Sequence, residues 1–448
     1  MKARLFLSLF LTVLLSAPEC AIGQDVPDTW TARRAIAFAR VNNPDSQLAA
    51  QRMLQADAML QQAKVGFYPQ LEVFGNYSQT NNAMYSFGNI LNQGAFNPGI
   101  DFNNPGRTDN LNLGVGVTYR LYNGGRDLAH KDAARAGIDL SAAESDAVIL
   151  QLEFKVFQAV QGIIESGKVI QARQKALEAI ASSLAVARSR FEAGDLLKSD
   201  LLNLEVEQSQ ATENLVQAQH NHEMAKRVFL TLLGRAGDDL QIEVAEDESP
   251  VLPSDLNPTR RPELKKLNAA LQAAESQLAA ARGSRLPTVD GFARYNSDQG
   301  TVLDGDGDSW IAGVNLNFKV FDGHQAAADI ALAEAQLGAL RAERKKLELA
   351  IGLEVSQAEL ALNLARQRQQ VTQKMVEQAT ESESLTKARF DAGVLLVSEL
   401  IDSEKRLTDA RVGNTLATSA VEVAVAELRR AVGLPLFAEP DSQVSLEK

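Results

Sequence analysis

The chain contains two copies of one pattern, and this repetition restricts its fold more than any other feature of the sequence. The segment RFEAGDLLKSDLL at 190–202 returns as RFDAGVLLVSELI at 389–401, which is 199 positions later. The tripeptides YNG at 122–124 and FDG at 321–323 are separated by the same offset. Repeats that keep register over such a distance indicate a duplicated structural unit, so they are considered before local patterns.

The first 23 residues have the features of a secretory signal peptide. Lys2 and Arg4 precede an apolar run at 5–15, which is too short to span a bilayer. The only cysteine, Cys20, follows Glu19 rather than a small residue, which argues against attachment of a lipid. Removal of 1–23 would leave no cysteine, so neither disulfides nor thiol chemistry are expected.

The charge and hydropathy of the remaining chain exclude two classes of protein. The whole chain has a net charge of −12, and removal of Lys2, Arg4 and Glu19 with the signal segment leaves it acidic, which argues against nucleic acid as a partner. No run of 18 apolar residues follows the signal segment, so no transmembrane helix is predicted. Any crossing of a membrane would then need strands closed into a barrel.

Each copy is predicted to contain a short helix, two strands, a long helix and a further helix. The first copy occupies 24–233 and the second 262–433, with a linker at 234–261 and a tail at 434–448. The predicted strands lie at about 70–79, 111–122, 288–297 and 309–321, the long helices at 124–193 and 323–392, and the helices after them at 198–233 and 397–432.

The long helices carry two apolar stripes each. No proline occurs between Pro105 and Pro250 or between Pro287 and Pro435, and at 1.5 Å per residue 70 helical residues would extend for about 100 Å. One stripe of the second long helix comprises Leu347, Ile351, Val355, Ala358 and Leu362, and the adjacent stripe comprises Leu349, Leu353, Leu360 and Leu364. Two stripes predict a helix that packs between two neighbours, and shorter helices laid end to end alongside it have a suitable length.

The predicted strands at 111–122 and 309–321 alternate strictly between apolar and polar residues, and their partners alternate less cleanly. Between 111 and 121, leucine, valine and tyrosine occupy the odd positions, and asparagine, glycine, threonine and arginine occupy the even positions. This pattern is typical of an outer-membrane strand, and it also fits a strand of a soluble sandwich with one buried face. The segment between Thr80 and Asn110, which contains 19 residues more than its counterpart, is predicted to be a long exposed loop.

Several motifs together resemble those of the TolC-like outer membrane efflux proteins. The motifs are AIAFARVNNP at 35–44, QAKVGFYP at 62–69, YNGG at 122–125 and the two turns of the form RFxAG. The resemblance covers nearly the whole chain after the signal segment. It implies a homotrimer with a 12-stranded barrel in outer-membrane lipid, continued by a 12-helix α-barrel across the periplasm.

The resemblance also implies a function and a set of partners. Similar proteins are exit ducts of tripartite efflux or type I secretion systems, and they work with a periplasmic adaptor and an inner-membrane transporter of the RND or ABC type. They have no cofactor and no catalytic activity. A periplasmic coiled-coil adaptor or scaffold without a pore is the alternative, although such a protein would not need four amphipathic strands.

The two RFxAG turns are the predicted docking site. Glycine just after a helix supplies the left-handed conformation that ends it, and serine is a good cap for the helix that follows. In similar proteins these hairpins form the periplasmic tip and contact the adaptor. The residues that the resemblance assigns to this site are Arg190, Gly194, Leu196, Leu197, Ser199, Arg389, Gly393, Leu396 and Ser398.

The resemblance further places a constriction of the pore near these turns. The matching residues are Asp200, Glu399, Asp402, Phe390 and Leu395. Glu399 and Asp402 are three residues apart and share a helical face, so a threefold axis would arrange them as rings that select cations. Acidic residues in a first helical turn also complement the helix dipole, which is a purely structural alternative for Asp200. Leu395 and Phe390 replace the arginine and tyrosine of the best-known family member, so an apolar constriction is the alternative to a polar latch at this mouth.

The sequence contains no constellation typical of an enzyme. No phosphate-binding loop, HExxH motif, nucleophile elbow or Rossmann fingerprint is present. His220 and His222 are two residues apart, so on a helix they point to different faces and do not predict a metal site.

Overall fold

The computed structural model describes residues 29–236, 243–244 and 249–437. The predicted signal segment, part of the linker and most of the tail lie outside the described residues. In chain order the elements are β1 (Thr29–Trp30), α1 (Ala32–Asn42), α2 (Pro44–Lys64), β2 (Gln70–Thr80), α3 (Ala83–Asn92), β3 (Thr108–Tyr122), α4 (Arg126–Glu192), α5 (Lys198–Leu232), β4 (Glu243–Val244), α6 (Pro262–Gly283), β5 (Thr288–Gln299), β6 (Asp306–Asn317), α7 (Gln325–Asp391) and α8 (Val397–Ala431).

Two helices of 67 residues, α4 and α7, run the length of the helical region. Each follows a corner in the left-handed backbone conformation, formed by Gly124 and Gly125 before α4 and by Gly323 and His324 before α7. At Gly124 a side chain is also excluded by space, because a Cβ atom would lie 2.3 Å from the carbonyl oxygen of Gly283. The corner therefore turns the chain from a strand into a helix in the same way in both copies.

The shorter helices lie along the long ones. The helices α2 and α5 both pack on α4, and α6 and α8 both pack on α7. The helices α6 and α8 also pack on α4, which is thus enclosed on two flanks within one chain. The largest core cluster forms where α1, α4 and α5 meet, with Trp30, Phe157 and Phe229 at its centre.

Only one of the two predicted stripes on α7 is covered within the chain. Ile351, Ala358 and Leu362 are buried. The residues of the adjacent stripe are exposed: Leu349 by 70%, Leu353 by 60%, Leu360 by 69% and Leu364 by 59%. The helix α7 therefore has a second apolar face with no partner among the described residues of its own chain.

The helix α4 is more apolar than the sequence analysis predicted. It contains an 18-residue window with a mean hydropathy of 1.4, so by length and composition it could cross a membrane. Leu152, Val156 and Ile163 of this helix are buried in the largest core cluster. Only 33% of this window is buried within the chain, so the rest of the apolar surface of α4 is open in a single copy.

Four antiparallel strands form one sheet in the order β2-β3-β5-β6. Tyr77 faces Leu111 across β2 and β3, and Tyr295 faces Trp310 across β5 and β6. Alternation along each strand puts apolar side chains on one face, where Val73, Leu113 and Trp310 are 76%, 52% and 77% exposed. The other face, which we call the polar face, carries mainly asparagine, glycine, threonine and charged residues, together with Phe74, Phe292 and Ile311. The sheet thus has an exposed apolar face, as the alternation predicts for an outer-membrane strand.

Two predicted elements differ from the structure. The strand predicted at 309–321 is β6, Asp306–Asn317, and its last residue pairs with Thr288 at the start of β5. Pro287 precedes Thr288 and has no N–H group to continue the ladder, so β6 ends there. The loop predicted at 80–110 contains the helix α3, whose N-terminus is capped by the Asn82 side chain through the backbone N–H groups of Met84 and Tyr85.

Candidate functional site

The ends of the long helices turn back sharply into α5 and α8. Gly194 and Gly393 have φ angles of 86° and 79°, so the predicted left-handed conformation is confirmed at both. The backbone N–H of Asp195 donates to the carbonyl of Arg190 at 2.8 Å, and that of Val394 donates to the carbonyl of Arg389 at 3.1 Å. These bonds satisfy carbonyl groups that the helix ends would otherwise leave open.

The prediction that Ser199 and Ser398 cap the following helices is wrong. The helices begin at Lys198 and Val397, so the cap positions belong to Leu197 and Leu396, which make no side-chain hydrogen bond. The serines instead lie in the first helical turn. The leucines before the cap positions, Leu196 and Leu395, are partly buried and pack against a small apolar core.

This small core, the tip cluster, joins the two hairpins. It consists of Leu184, Ala187, Leu204, Phe390, Val397 and Leu400. Phe390 is 0% exposed, so its side chain does not line a pore, and this burial contradicts the constriction role that the sequence assigned to it. Leu395 lies partly buried at the edge of the cluster.

Arg190 links the first hairpin to the second. Its guanidinium lies over the Phe390 ring at 5.5 Å from the centroid, and Nη1 donates a hydrogen bond to the carbonyl oxygen of Phe390 at 3.1 Å. A Cβ atom at Gly393 would lie 3.4 Å from Nη2 of Arg190. Arg190 therefore contacts its own chain, and its counterpart Arg389 is exposed. The sequence offered no signal for this contact, because the two hairpins are far apart along the chain.

Other predicted tip residues are at the surface of the single chain. Leu197 is 69% exposed and Leu396 is 64% exposed. Val394, which was not among the predicted residues, is 74% exposed, so apolar side chains project from both turns. Glu399 and Asp402 are exposed one turn apart on α8, and Asp200 is half-buried in the first turn of α5. The structure thus brings the predicted acidic residues to the two hairpins that the tip cluster joins.

A buried carboxylate near the tip was not anticipated from the sequence. Glu404 of α8 is 4% exposed, and its Oε1 atom has no hydrogen-bond partner in the part of the chain that the structure describes. Burial, reinforced by the nearby carboxylate of Glu383, raises the pKa of Glu404 to about 7, although Lys387 and Arg411 act in the opposite direction. Its setting in a polar helical sequence gives no sign of this burial.

Metal and cofactor binding find no support in the described ranges. No group of three or more histidine, cysteine, aspartate or glutamate side chains is arranged there to hold a metal ion. His222 instead contacts the neighbouring helix, with 2.8 Å between its Nδ1 atom and the Oγ atom of Ser166.

Comparison with known proteins gives consistent matches. A family model described as outer membrane efflux protein matches residues 35–235 and 256–434. Protein CyaE of Bordetella pertussis is 27% identical over 338 residues, which cover 72% of this chain and 70% of that protein. The outer membrane efflux protein BepC of Brucella suis is 26% identical over 46% of this chain and 48% of its own length.

The fold is also found among solved structures. The CmeC outer membrane channel of Campylobacter jejuni superposes with a TM-score of 0.78, covering 90% of this chain and 85% of that one. Its sequence identity of 16% limits the likeness to the fold.

Proposed function

The chain belongs to the outer membrane efflux protein family, and from this premise we propose that three copies assemble into one continuous duct. The fold is that of the TolC-like outer membrane channels, and the protein is an efflux channel of the outer membrane that extends into the periplasm. Members of this family work with periplasmic adaptors and inner-membrane transporters. The number of copies, the type of transporter and the docking residues are proposals.

The main support for assembly is the sheet with two open edges. In the order β2-β3-β5-β6, the outer edges of β2 and β6 have no strand partner among the described residues. Lipid cannot satisfy their backbone N–H and C=O groups, so a sheet with an exposed apolar face must close on itself or on other copies. Four strands are too few to close alone, which makes neighbouring copies the source of the missing strands.

The strand number favours three copies over two. A barrel of about eight strands has an interior just wide enough for side chains to fill, whereas larger barrels leave an aqueous lumen. Two copies would supply about eight strands, and three would supply about twelve, which is within the range of outer-membrane barrels. Three is thus the smallest number of copies that gives a water-filled duct.

The helices support the same assembly. The exposed stripe of α7, represented by Leu349 and Leu360, lies at one flank of the helical layer. Exposed apolar residues of α5, represented by Val206 and Val216 at 68% and 58%, lie at the other flank. Contact between α7 of one copy and α5 of the next would cover both sets and give each helix two neighbours.

We propose that the duct exports small molecules or polypeptides received from an RND or ABC transporter. The exposed apolar residues of the two turns, Leu197 and Leu396, suit the covering surface of a periplasmic adaptor. Asp200, Glu399, Asp402 and Leu395 would surround the inner mouth, whereas the contact of Arg190 with Phe390 would hold the two hairpins of one copy together. The repeats at 24–233 and 262–433, joined by the linker at 234–261, are proposed as the two structural units. We propose no catalytic activity.

Cysteine cross-linking tests the assembly, because the chain after the signal segment contains no cysteine. Asn76→Cys on β2 is combined in turn with Ser309→Cys, Ile311→Cys or Asn315→Cys on β6, and the membranes are oxidised. Covalent products that reach three copies and stop there are expected for the pair in register. The control pair, Ala293→Cys with Ala312→Cys, is adjacent within one copy and should close without changing the number of chains. Products that never exceed one chain, together with recovery in the soluble periplasmic fraction, would favour a scaffold without a pore.

A further inference from the structure

The helix α3 is docked on the end of the sheet that lies farthest from the helical region. It connects β2 to β3, whereas the other ends of these strands lead into α2 and α4. Asn89 Nδ2 donates to Thr108 Oγ1 at 3.0 Å, and Gln93 Nε2 donates to the carbonyl oxygen of Asp109 at 2.7 Å. Ser86 Oγ lies 2.9 Å from the carbonyl oxygen of Gly106. This helix is therefore held by specific hydrogen bonds at the outer end of the sheet.

The helix lies on the polar face and not on the apolar one. Gln93 also donates to Asn110 Oδ1 at 3.1 Å, and Thr108, Asn110 and Asn112 alternate onto the same face of β3. Asp298 accepts hydrogen bonds from Asn110 and Asn112 at 2.6 and 2.8 Å, which places it on that face too. In a closed outer-membrane barrel the polar face surrounds the lumen.

Three glycines of the hairpin between β5 and β6 make room for the end of α3. A Cβ atom at Gly307 would lie 2.1 Å from the carbonyl oxygen of Asn92. Cβ atoms at Gly300 and Gly305 would lie 2.0 and 2.6 Å from atoms of Gln93. Gly307 pairs with Asp298, so it too belongs to the polar face. The space for α3 is built into the hairpin that receives it.

The burial pattern separates the two sides of α3. Ser86 and Ile90 are 0% and 1% exposed against the sheet and the loop that follows. On the opposite side Met84 and Tyr85 are 77% and 69% exposed. The helix thus covers the polar face and presents apolar side chains away from it, toward the space that the barrel would enclose.

We propose that α3 narrows the outer mouth of the duct and acts as a filter for the size of the molecules that leave it. This inference rests on the proposed trimeric duct, in which three copies of α3 lie around one mouth. Because a helix with its side chains is about 10 Å across, three of them occupy a large part of the opening. The exported molecule must pass the exposed faces of α3 after it has passed the inner constriction.

Access from outside intact cells tests the filter separately from the inner mouth. A reporter cysteine replaces Thr118 on the polar face, deeper in the barrel than α3. Cells are treated either with a small maleimide or with a maleimide on a polyethylene glycol chain of several kilodaltons. The labelling rates are compared in the unchanged chain and in two variants. Gly307→Val adds a side chain where α3 docks and should displace the helix. Gly88→Ala is the control, because its added Cβ meets nothing within 4 Å.

We expect the small reagent to react quickly in all three backgrounds and the polymer reagent to react slowly in the unchanged chain and in Gly88→Ala. Gly307→Val should raise the labelling rate of the polymer reagent about tenfold, because the added side chain shifts the equilibrium between docked and displaced α3 by about that factor. The double variant Asn89→Ala with Gln93→Ala, which removes docking hydrogen bonds without adding volume, should have the same effect if Gly307→Val fails to assemble. Equal polymer rates in all backgrounds, with fast reaction of the small reagent, would overturn the filter alone. Failure of the small reagent to reach the reporter would overturn the duct and the filter together.

Discussion

At the scale of single residues, Glu404 departs furthest from its sequence context. It stands in an ordinary polar stretch of α8, yet it is buried where α4, α5, α7 and α8 come together near the tip. Glu383 and Lys387 face it from α7, and Arg411 lies further along α8. Arg173 of α4 and Glu207 of α5 line a cavity of about 390 Å³ with it. Burial of a carboxyl group in such a place favours its protonated form.

The sign of the pH dependence follows from this environment. The pKa of Glu404 is raised from 4.5 to about 7, so the folded protein holds the proton more tightly than the unfolded chain. The free energy of unfolding should therefore fall as the pH rises from about 4.5 to about 7, by up to about 3 kcal/mol. Glu404→Gln should remove most of this fall and raise the midpoint of thermal unfolding at about pH 8.

Thermal unfolding followed by circular dichroism at about pH 5 and about pH 8 measures this effect. Glu399→Gln is the matched control, because Glu399 is an exposed glutamate on the same helix. Its unfolding midpoint should change with pH as in the unchanged chain. A Glu404→Gln protein with the same pH dependence as the unchanged chain would contradict the assignment of the buried proton.

The sequence allowed some of the tip residues to be placed correctly, but not others. Gly194 and Gly393 could be predicted, because the conformation that ends a helix depends on local sequence. The burial of Phe390 and its contact with Arg190 could not, because they arise where two hairpins, 200 residues apart, meet. Helical periodicity locates a residue on a helix, but the neighbour on that face is fixed only by tertiary packing.

At the scale of elements, the two tip turns depend on one glycine each. Gly393 has a φ angle of 79°, and added atoms would also approach Arg190. Gly413 lies within α8, and a Cβ atom there would meet nothing within 4 Å. A side chain would therefore be strained at Gly393, whereas it would fit without contact at Gly413.

Alanine at the two positions should change stability in opposite directions. Gly393→Ala should destabilise the protein by about 1–2 kcal/mol, because a side chain is strained in the left-handed conformation. Gly413→Ala should stabilise it by about 0.5–1 kcal/mol, because alanine is the better residue in a helix interior. Thermal unfolding of both variants in the same detergent provides the comparison. A gain of stability for Gly393→Ala would show that the turn does not need its left-handed residue.

The duplicated elements were predictable because each copy supports the interpretation of the other. The long helices α4 and α7 begin and end within two residues of the predicted segments at 124–193 and 323–392. The helix α3 was missed because it lies in the extra segment that occurs in one copy only. Its asparagine and glycine content favours a loop, and contacts with the hairpin between β5 and β6 are needed to hold it as a helix.

At the scale of the whole molecule, several exposed features of one chain would be covered or paired by assembly with other copies. The apolar face of the sheet, the free stripe of α7 and the open edges of β2 and β6 are all unfavourable in a single chain in water. The exposed carboxylates of Glu399 and Asp402 differ from these features, because assembly around a threefold axis would increase their mutual repulsion. An assembly that collects these carboxylates would attract cations to its inner mouth.

The ion selectivity of single channels tests whether the carboxylates of Glu399 and Asp402 surround the inner mouth. The double variant Glu399→Gln with Asp402→Asn keeps the shape of both side chains and removes their charge. In a planar bilayer under a salt gradient, we expect the unchanged channel to favour cations and the double variant to lose most of this preference, with a reversal potential closer to zero. The control is Glu377→Gln with Glu381→Gln, which removes two exposed charges one turn apart on α7, away from the tip. Since both variants remove the same charge per chain, a general effect of net charge would shift their reversal potentials equally. Such an equal shift, or none in the tip variant, would remove Glu399 and Asp402 from the constriction.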